Sequence, residues 1–390
     1  MQVYRGLDAI TNKHPVPERK GIPHHLLGHI DWSQEYSVKQ FEEEVTAVID
    51  SIHARGKLPI LVGGTHYYNQ TALFRNSTVS SVEVPSEPLN EKQIAILDSP
   101  DPLTVFKHLQ QVDPVVSQKF HPNDTRRVRR ALEIYFSTGQ RASDLYAQQG
   151  TRGESGSLAL RYRSLVLWVW CEKTVLNDRL DARVDQMVGS SLYSEINQLY
   201  KEHIRLGKES VDLERGIWQV IGYKQFLPWL EGTDKSPENG IEKMKIGTRQ
   251  YATRQTKWIS KKLISLLAQV HESNPECKGD VALLDATDLS VWDKTVSERG
   301  AVLVKEFLAG TSYSIPLVPP ELEDLALPRA KELEFSREQW KHHICKYCKD
   351  REGKPVTIVG NRPWEMHLKS KGHIYYERQS REGVLVVADR

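Results

Sequence analysis

The chain has 390 residues, of which 39% are hydrophobic and 27% charged, with 53 lysines and arginines against 51 aspartates and glutamates. This composition excludes collagen-like, membrane-embedded and wholly disordered proteins, and the length is sufficient for two or three domains. The net charge of +2 neither favours nor excludes a nucleic-acid partner, because patches of opposite charge cancel in the sum. Four cysteines are too few for a disulfide framework in so long a chain and favour a reducing compartment.

The first residues, MQVYRG, indicate the end of a strand that runs into a turn, with no apolar segment of a signal peptide before it. We therefore expect the printed sequence to begin inside a domain. No apolar run approaches the roughly 20 residues of a membrane span. The sequence predicts a soluble protein that does not contact a membrane.

A helix, a strand and a glycine-rich turn are predicted next. Ser37 and Gln40 form a capping-box pattern ahead of apolar residues at helical spacing, which predicts a helix that ends at Gly56. Residues 58–62 (LPILV) predict a buried strand, and residues 63–68 (GGTHYY) a turn at its carboxyl end. This order is typical of a parallel α/β sheet, whose ligands bind beyond the carboxyl ends of the strands.

The middle of the chain predicts an insertion in this sheet. Residues 76–102 are polar and rich in proline and serine, and helical patterns follow at 103–109 and at 125–138, the second of which ends at Gly139. A second buried strand at 164–170 (SLVLWVW) returns the chain to the sheet. The helix at 125–138 has a basic face formed by Arg126, Arg127, Arg129 and Arg130.

Two further helical regions are predicted at 174–199 and 241–267, and a proline-rich linker at 315–340. The segment 241–262 carries seven lysines and arginines against one acid, Glu242. A basic helix face taken alone is most simply a solvated surface. Three basic segments interleaved with aromatic residues, the third at 341–378, favour instead a partner with a phosphate backbone.

Near the C-terminus, two cysteines are followed by two histidines within 29 residues, in the order Cys345, Cys348, His367 and His373. Two thiolates on a tight turn and two imidazoles on one helix face can close a tetrahedral zinc site, which would stabilise a module too small for a core of its own. The alternative, two cysteines that happen to lie near a histidine-rich helix, does not account for the ligand order. The 18-residue loop is longer than in DNA-reading fingers and no second copy follows, so we expect RNA contact.

Six short segments together resemble the tRNA dimethylallyltransferase family. They occur in the family's order at residues 1–7 (MQVYRGL), 21–26 (GIPHHL), 61–68 (LVGGTHYY), 121–133 (HPNDTRRVRRALE), 221–224 (IGYK) and 248–255 (TRQYATRQ). The resemblance covers about residues 1–310. The finger with its long loop resembles the matrin-type finger of the eukaryotic members, the fungal ones especially.

The resemblance implies a P-loop NTPase-like α/β fold, with a parallel-sheet core whose first strand and P-loop are absent from the sequence, a helical insertion and a C-terminal C2H2-type zinc finger. The implied domains are a partial core at 1–75, a tRNA-binding insertion at 76–160, the rest of the core with tRNA-contacting helices at 161–314, a linker at 315–340 and the finger at 341–390.

The implied activity is transfer of a dimethylallyl group from dimethylallyl diphosphate to N6 of adenosine 37, beside the tRNA anticodon. A base flipped out of a single-stranded loop suits such chemistry. The resemblance places Arg183 near the diphosphate, with Mg²⁺, and zinc as a structural ion in the finger. It places the tRNA anticodon stem-loop against Gln2, Thr65, Arg127, Arg130, Gln219, Gly222, Tyr223, Lys224, Arg249 and Arg254. We expect a cytoplasmic monomer, with mitochondrial and nuclear pools left open.

The sequence departs from the family at two places. Ser191 stands where the family has a glycine a few residues after the methionine that matches Met187. The family's P-loop, and the threonine and aspartate that it places at the reacting amine, would precede Met1, so no catalytic residue is assigned and this chain is expected to be inactive as written. The competing hypothesis is a non-catalytic RNA-binding protein. A nucleotide-kinase-like NTPase fits less well, because no Walker A sequence is present.

Overall fold

The computed structural model describes residues 1–75, 88–151, 159–273, 279–326, 341–350 and 353–381. The chain forms two compact units. The first, unit 1, comprises Met1–Thr78 and Leu158–Arg329, and the second, unit 2, comprises Val79–Ser157 and Ala330–Arg390.

Most of the described residues are helical. The α-helices are α1 (Val38–Ala54), α2 (His66–Leu73), α3 (Glu91–Leu97), α4 (Pro102–Val112), α5 (Pro114–Ser117), α6 (Thr125–Thr138), α7 (Ala142–Thr151), α8 (Lys173–Val188), α9 (Leu192–Arg205), α10 (Tyr223–Leu230), α11 (Glu238–Trp258), α12 (Ile264–Ser273), α13 (Arg299–Ala309), α14 (Glu323–Ala326), α15 (Asn361–Leu368) and α16 (Lys371–Arg381). The strands are β1 (Ser164–Trp170), β2 (Gly279–Asp285), β3 (His342–Lys349) and β4 (Pro355–Val359). None of these described helices is both long and apolar enough to cross a membrane.

The sheet of unit 1 pairs β1 with β2 in parallel, from Ser164 opposite Gly279 to Trp170 opposite Asp285. Both of its faces are covered. Ala282 and Leu284 pack on one face with Leu303 of α13, and Leu283 packs with Trp168 and Ile264 on the other. A parallel pair with apolar groups on both faces is the expected core of an α/β fold, so the predicted strand at 164–170 and the fold class are confirmed.

The predicted strand at 58–62 is wrong. These residues have no strand assignment, and Ile60 and Val62 are 79% and 87% exposed. Among the described residues no strand lies beside this segment, so its backbone has no hydrogen-bonded ladder and its apolar side chains have no layer to pack against. An apolar pattern favours a strand only where neighbouring strands exist to pair with it.

The helix before this segment is confirmed. The Ser37 hydroxyl accepts a hydrogen bond from the Gln40 N–H, and the Gln40 side chain accepts one from the Ser37 N–H, so that both free N–H groups are satisfied. α1 buries Phe41, Val45 and Ile49 in a small cluster with Ala72 of α2.

The largest core of unit 1 joins the N-terminal loop to helices α8–α11. Tyr4, Leu7 and Ile10 are each at most 5% exposed and belong to one apolar cluster with residues of those helices. The cluster also contains Val184, Ile196, Leu199, Ile217, Tyr223, Phe226 and Met244. Burial of Tyr4, Leu7 and Ile10 therefore holds the polar residues between them against the helices of unit 1.

Residues 315–326, predicted as part of a linker, pack against the sheet instead. The Leu317 carbonyl accepts a hydrogen bond of 2.9 Å from the Leu283 N–H, and Leu322 and Leu325 contact the cluster of Trp168. The prolines prevent long regular elements, but the leucines between them still bury apolar surface, so this part of the linker prediction is wrong. Residues 327–340 lie outside the described part of the chain.

Unit 2 combines a helical bundle with the C-terminal module. The bundle buries Leu97, Phe106, Leu109, Leu132 and Leu145 from helices α3, α4, α6 and α7. Its helix α6 ends at Gly139 as predicted. In the C-terminal module, β3 and β4 pair antiparallel and precede α15 and α16. The insertion is predicted to begin at residue 76, which lies outside the described residues, as do residues 152–158 just before its predicted end at residue 160.

Candidate functional site

The N-terminal loop holds Gln2 in a defined orientation. Its side-chain amide nitrogen donates to the carbonyls of Thr11 and Asn12 at 3.0 and 2.8 Å. Lys13 closes the other side of the loop, because its buried ammonium donates to the Tyr4 carbonyl at 2.6 Å and to Asp8 at 3.0 Å. Gln2 itself is exposed, so this loop presents a fixed polar side chain at the surface of unit 1.

The glycine-rich turn at residues 63–65 is bound to helix α11. The Gly64 carbonyl accepts hydrogen bonds from the Gln255 amide at 2.9 Å and from the Tyr251 hydroxyl at 3.3 Å. A Cβ atom at Gly64 would lie 1.8 Å from the Gln255 amide nitrogen, so a larger residue there would displace the Gln255 side chain. Thr65 is exposed and directly precedes α2. The structure thus brings the predicted Thr65 turn against the helix of Arg249 and Arg254.

A basic cleft of about 390 Å³ lies between α8 and α11, and its lining includes no acidic residue. Arg249 is held in it by an ion pair with Asp181, whereas Arg254 and Lys257 are exposed and have no carboxylate partner in the described part of the chain. Unpaired cations in a concave surface suit a polyanion. The lining residues are Lys173, Asn177, Ile246, Arg249, Gln250, Thr253, Arg254 and Lys257.

Arg183 of α8 is a partly buried cation whose guanidinium pKa is lowered by desolvation. Its buried Nε makes no hydrogen bond to any residue that the structure describes. A buried cation is costly without an anionic partner, and this arrangement leaves Arg183 suited to an external anion. The placement fits the predicted diphosphate contact without testing it.

The predicted tRNA-contacting segment around α10 divides into surface and core residues. Gln219 is half-buried, and Lys224 forms an ion pair with Glu214. Tyr223 is fully buried, and its hydroxyl lies 2.7 Å from His203 Nδ1. Gly222 is also buried, with a φ of +119° and a Cβ position 2.9 Å from Ile10 Cδ1. Tyr223 and Gly222 therefore pack in the core of unit 1, and their contact with tRNA stays a prediction.

Arg127 and Arg130 lie on the first turns of α6, in unit 2. Both are mainly exposed, at 61% and 62% of their side chains, and each pairs with an acid three residues away, Asp124 and Glu133 respectively. Exposed pairs of this kind contribute little stability. The two guanidinium groups therefore remain accessible to a phosphate backbone.

The four predicted metal ligands come together in the C-terminal module. Cys345 and Cys348 lie on β3, and one ligand atom from each of the four residues falls within 4.8 Å of the others. Both sulfurs face His373 Nδ1, at 3.4 and 3.6 Å. His367 and His373 lie on successive helices, α15 and α16, rather than on one helix face as predicted, because the chain turns at Lys369 and Ser370.

Several residues that shape these surfaces were not assigned from the sequence. Lys173 and Asn177 reach the basic cleft from another helix, and no motif indicated them. Tyr251 and Gln255 lie within the segment TRQYATRQ, but only its arginines were assigned. Glu195 was also not assigned from the sequence; it is 7% exposed and accepts hydrogen bonds from the backbone of the N-terminal loop. An isolated acid on an amphipathic helix carries no sequence pattern that would indicate such a contact.

The comparisons with known proteins agree along nearly the whole chain. A model of the IPP transferase family matches residues 2–262. The chain is 42% identical to tRNA dimethylallyltransferase of Saccharomyces cerevisiae over 96% of this chain and 83% of that protein. It is 37% identical to the Schizosaccharomyces pombe protein of the same name, over 98% of this chain and 88% of that protein.

A solved structure also matches, that of a eukaryotic dimethylallyltransferase acting on tRNA. The TM-score is 0.80 at 39% identity, and the match covers 98% of this chain and 90% of that one. This similarity extends over both units and supports the P-loop NTPase-like assignment of the fold. The chain belongs to the IPP transferase family, with eukaryotic tRNA dimethylallyltransferases among its relatives.

Proposed function

We propose that this protein is a tRNA dimethylallyltransferase, which transfers the dimethylallyl group of dimethylallyl diphosphate to N6 of adenosine 37 next to the anticodon. The observation that carries the proposal is the match over both units to a dimethylallyltransferase acting on tRNA. The names of the relatives support an enzyme over the competing non-catalytic RNA-binding protein.

The anticodon stem-loop is the proposed macromolecular partner. In unit 1 it contacts Gln2, Thr65, Gln219, Lys224 and the cleft that contains Arg249 and Arg254. Arg127 and Arg130 contact it from unit 2. The support is physical: exposed arginines and an acid-free basic cleft suit a phosphate backbone, and a fixed amide such as that of Gln2 suits the edge of an unpaired base.

Dimethylallyl diphosphate is the proposed small substrate, and Arg183 its contact within the printed sequence. The desolvated guanidinium with an unbonded Nε is the supporting observation. A bound Mg²⁺ would neutralise part of the diphosphate charge as the leaving group departs.

We propose zinc as the ion of the Cys345, Cys348, His367 and His373 cluster. Two thiolates with two imidazoles form the donor set that zinc prefers in structural sites, and spacings of up to 4.8 Å allow an ion to bind after small side-chain rotations. His367 Nε2 is buried without a hydrogen-bond partner among the described residues, which fits a nitrogen reserved for a metal. We further propose that the protein is a monomer and is located in the cytoplasm, with additional pools in mitochondria and the nucleus.

The test is transfer of labelled dimethylallyl to a synthetic anticodon stem-loop with adenosine at position 37. It uses the printed 390-residue chain and a form in which the family's first strand and P-loop precede Met1. Product on the adenosine stem-loop from either form, and none on a stem-loop with guanosine at position 37, supports the proposal. Tight stem-loop binding without product from either form would favour the non-catalytic RNA-binding protein instead.

A further inference from the structure

Glu195 of α9 holds the turn that follows Gln2. Its carboxylate is 7% exposed and accepts hydrogen bonds of 2.9 Å from the backbone N–H groups of Ala9 and Ile10. The Ser191 hydroxyl donates a third bond to the same carboxylate, also at 2.9 Å. Ser191 has an ordinary φ of −94°, so the serine at this position fits the turn and adds a donor to the buried acid.

The backbone between residues 7 and 13 forms a short helical turn. The Thr11 N–H donates to the Leu7 carbonyl at 3.1 Å and the Lys13 N–H to the Asp8 carbonyl at 2.9 Å. The N–H groups of Ala9 and Ile10 lie at the start of this turn, where no preceding carbonyl is available, and Glu195 satisfies both of them. Leu7 and Asn12 have φ values of 57° and 51°, a strained conformation for residues with a Cβ atom.

The other end of this turn fixes the Gln2 side chain. The carbonyls of Thr11 and Asn12 both accept from Gln2 Nε2, and this defines which end of the amide is the donor. The Gln2 Oε1 atom is then left as an acceptor, with no hydrogen bond to any residue that the structure describes. Glu195 and Gln2 are thus connected through one rigid turn of backbone.

Resting on the proposed function, we propose that Glu195 is a positioning residue that holds the Gln2 amide with its oxygen toward the flipped base. An outward-facing carbonyl oxygen accepts a hydrogen bond from the 6-amino group of adenine. A purine without that group cannot donate such a bond, and guanine presents an oxygen at the same position. Buried Glu195 thereby contributes to the preference for an adenine at the modified position.

The test compares binding of two anticodon stem-loops that differ only at position 37, one with adenine and one with purine that lacks the amino group. One hydrogen bond corresponds to a preference of about fivefold for adenine in the wild-type protein. Gln2→Ala should remove this preference. Glu195→Gln should also lower it toward one, while the affinity for the purine stem-loop stays within about twofold, because only the orientation of Gln2 is lost.

Three further variants separate a loss of Gln2 positioning from a general loss of folded protein. Glu202→Gln removes a carboxylate on the same helix that pairs with Arg205, and it should retain the wild-type preference. Ser191→Ala removes one of the three donors and should lower the preference less than Glu195→Gln does, which provides a milder probe if the latter fails to fold. The double variant Gln2→Ala with Glu195→Gln should match Gln2→Ala alone.

An unchanged preference in correctly folded Glu195→Gln and Ser191→Ala proteins would overturn the proposal. So would independent, additive effects of Gln2 and Glu195. Failure of the proposed function would give a different result, because the wild-type protein would then bind neither stem-loop. The readout is a ratio of two affinities for one protein, which a uniform loss of folded protein does not change.

Discussion

Single residues show that segments resembling the family contain both surface and core side chains. Gln2 and Tyr223 both lie in segments that resemble the family, yet Gln2 is exposed and Tyr223 is fully buried beside His203. The same kind of sequence similarity therefore marks a surface group in one case and a core group in the other. The burial of each side chain in the structure, and not the sequence similarity, separates the exposed Gln2 from the buried Tyr223.

Gly222 gives a stability prediction at this scale. Alanine there must adopt a φ of +119° and place its Cβ 2.9 Å from Ile10 Cδ1 and 3.2 Å from the Met244 sulfur. Backbone strain of about 1–2 kcal/mol and overpacking of about 1–3 kcal/mol then add in the Gly222→Ala protein. The midpoint of urea unfolding, followed by circular dichroism, should fall clearly.

Gly232, just after the other end of α10, is the matched control. It has a φ of +75° and nothing within 4 Å of its Cβ position, so Gly232→Ala should show the backbone strain alone. If both variants unfold at the same urea concentration, the contacts with Ile10 and Met244 are not what requires glycine at residue 222.

At the scale of elements, the sequence predicted helices better than strands. α1 and α6 begin at capping residues and end near glycines, and these local patterns placed both helices correctly. The strand at 58–62 failed because its apolar pattern indicates nothing about available neighbours. β2 was missed for the complementary reason: its seven residues (GDVALLD) are a short apolar run, and only pairing with β1 makes them a strand.

In the candidate site too, local features could be predicted from the sequence and contacts between distant residues could not. The clustering of Cys345, Cys348, His367 and His373 could be predicted because their order in the sequence reflects a local fold of fewer than 40 residues. The cleft between α8 and α11, and the contact of Glu195 with residues 9 and 10, join residues that are dozens to nearly 200 positions apart. Such contacts depend on tertiary packing, which no local pattern encodes.

The C-terminal module gives the first element-scale prediction. Cys345→Ser should remove the bound zinc and unfold β3, β4, α15 and α16, because the described residues of the module bury few apolar side chains besides the two cysteines. Metal content of the purified full chain and hydrogen exchange across residues 341–381 are the measurements. Cys171→Ser, a change in unit 1, is the control and should leave both values unchanged. Absence of zinc from the wild-type protein would contradict the assignment.

Helix α6 gives the second prediction at the scale of elements. The double change Arg127→Ala and Arg130→Ala should weaken binding of the anticodon stem-loop and reduce the slope of log K against log salt by about 1.5 to 2, since two phosphate contacts are lost. Arg205→Ala is a close control, because Arg205 is 66% exposed and pairs with Glu202 in the same i,i+3 arrangement. If Arg205→Ala weakens stem-loop binding as much as the double change does, the arginines of α6 have no specific role in RNA binding.

At the scale of the whole molecule, the balance of charge conceals segregated basic surfaces. The net charge is only +2, yet an acid-free cleft lies in unit 1 and exposed arginines lie on α6 in unit 2. The structural relative matches across both units. Under the proposed function, each of these two surfaces is expected to make its own phosphate contacts with tRNA.

Combining changes in the two units tests this account. Arg254→Ala with Lys257→Ala should reduce the salt slope of stem-loop binding by about 1.5 to 2, as the α6 pair does, because each pair removes its own phosphate contacts. The four changes together should reduce the slope by about twice as much, since distant sites without shared partners contribute additively. Binding is measured by fluorescence anisotropy at several salt concentrations, with Arg205→Ala added to each variant as the control for total charge. If the variant with all four changes binds the stem-loop as tightly as one of the double variants, one of the two surfaces does not contact the RNA.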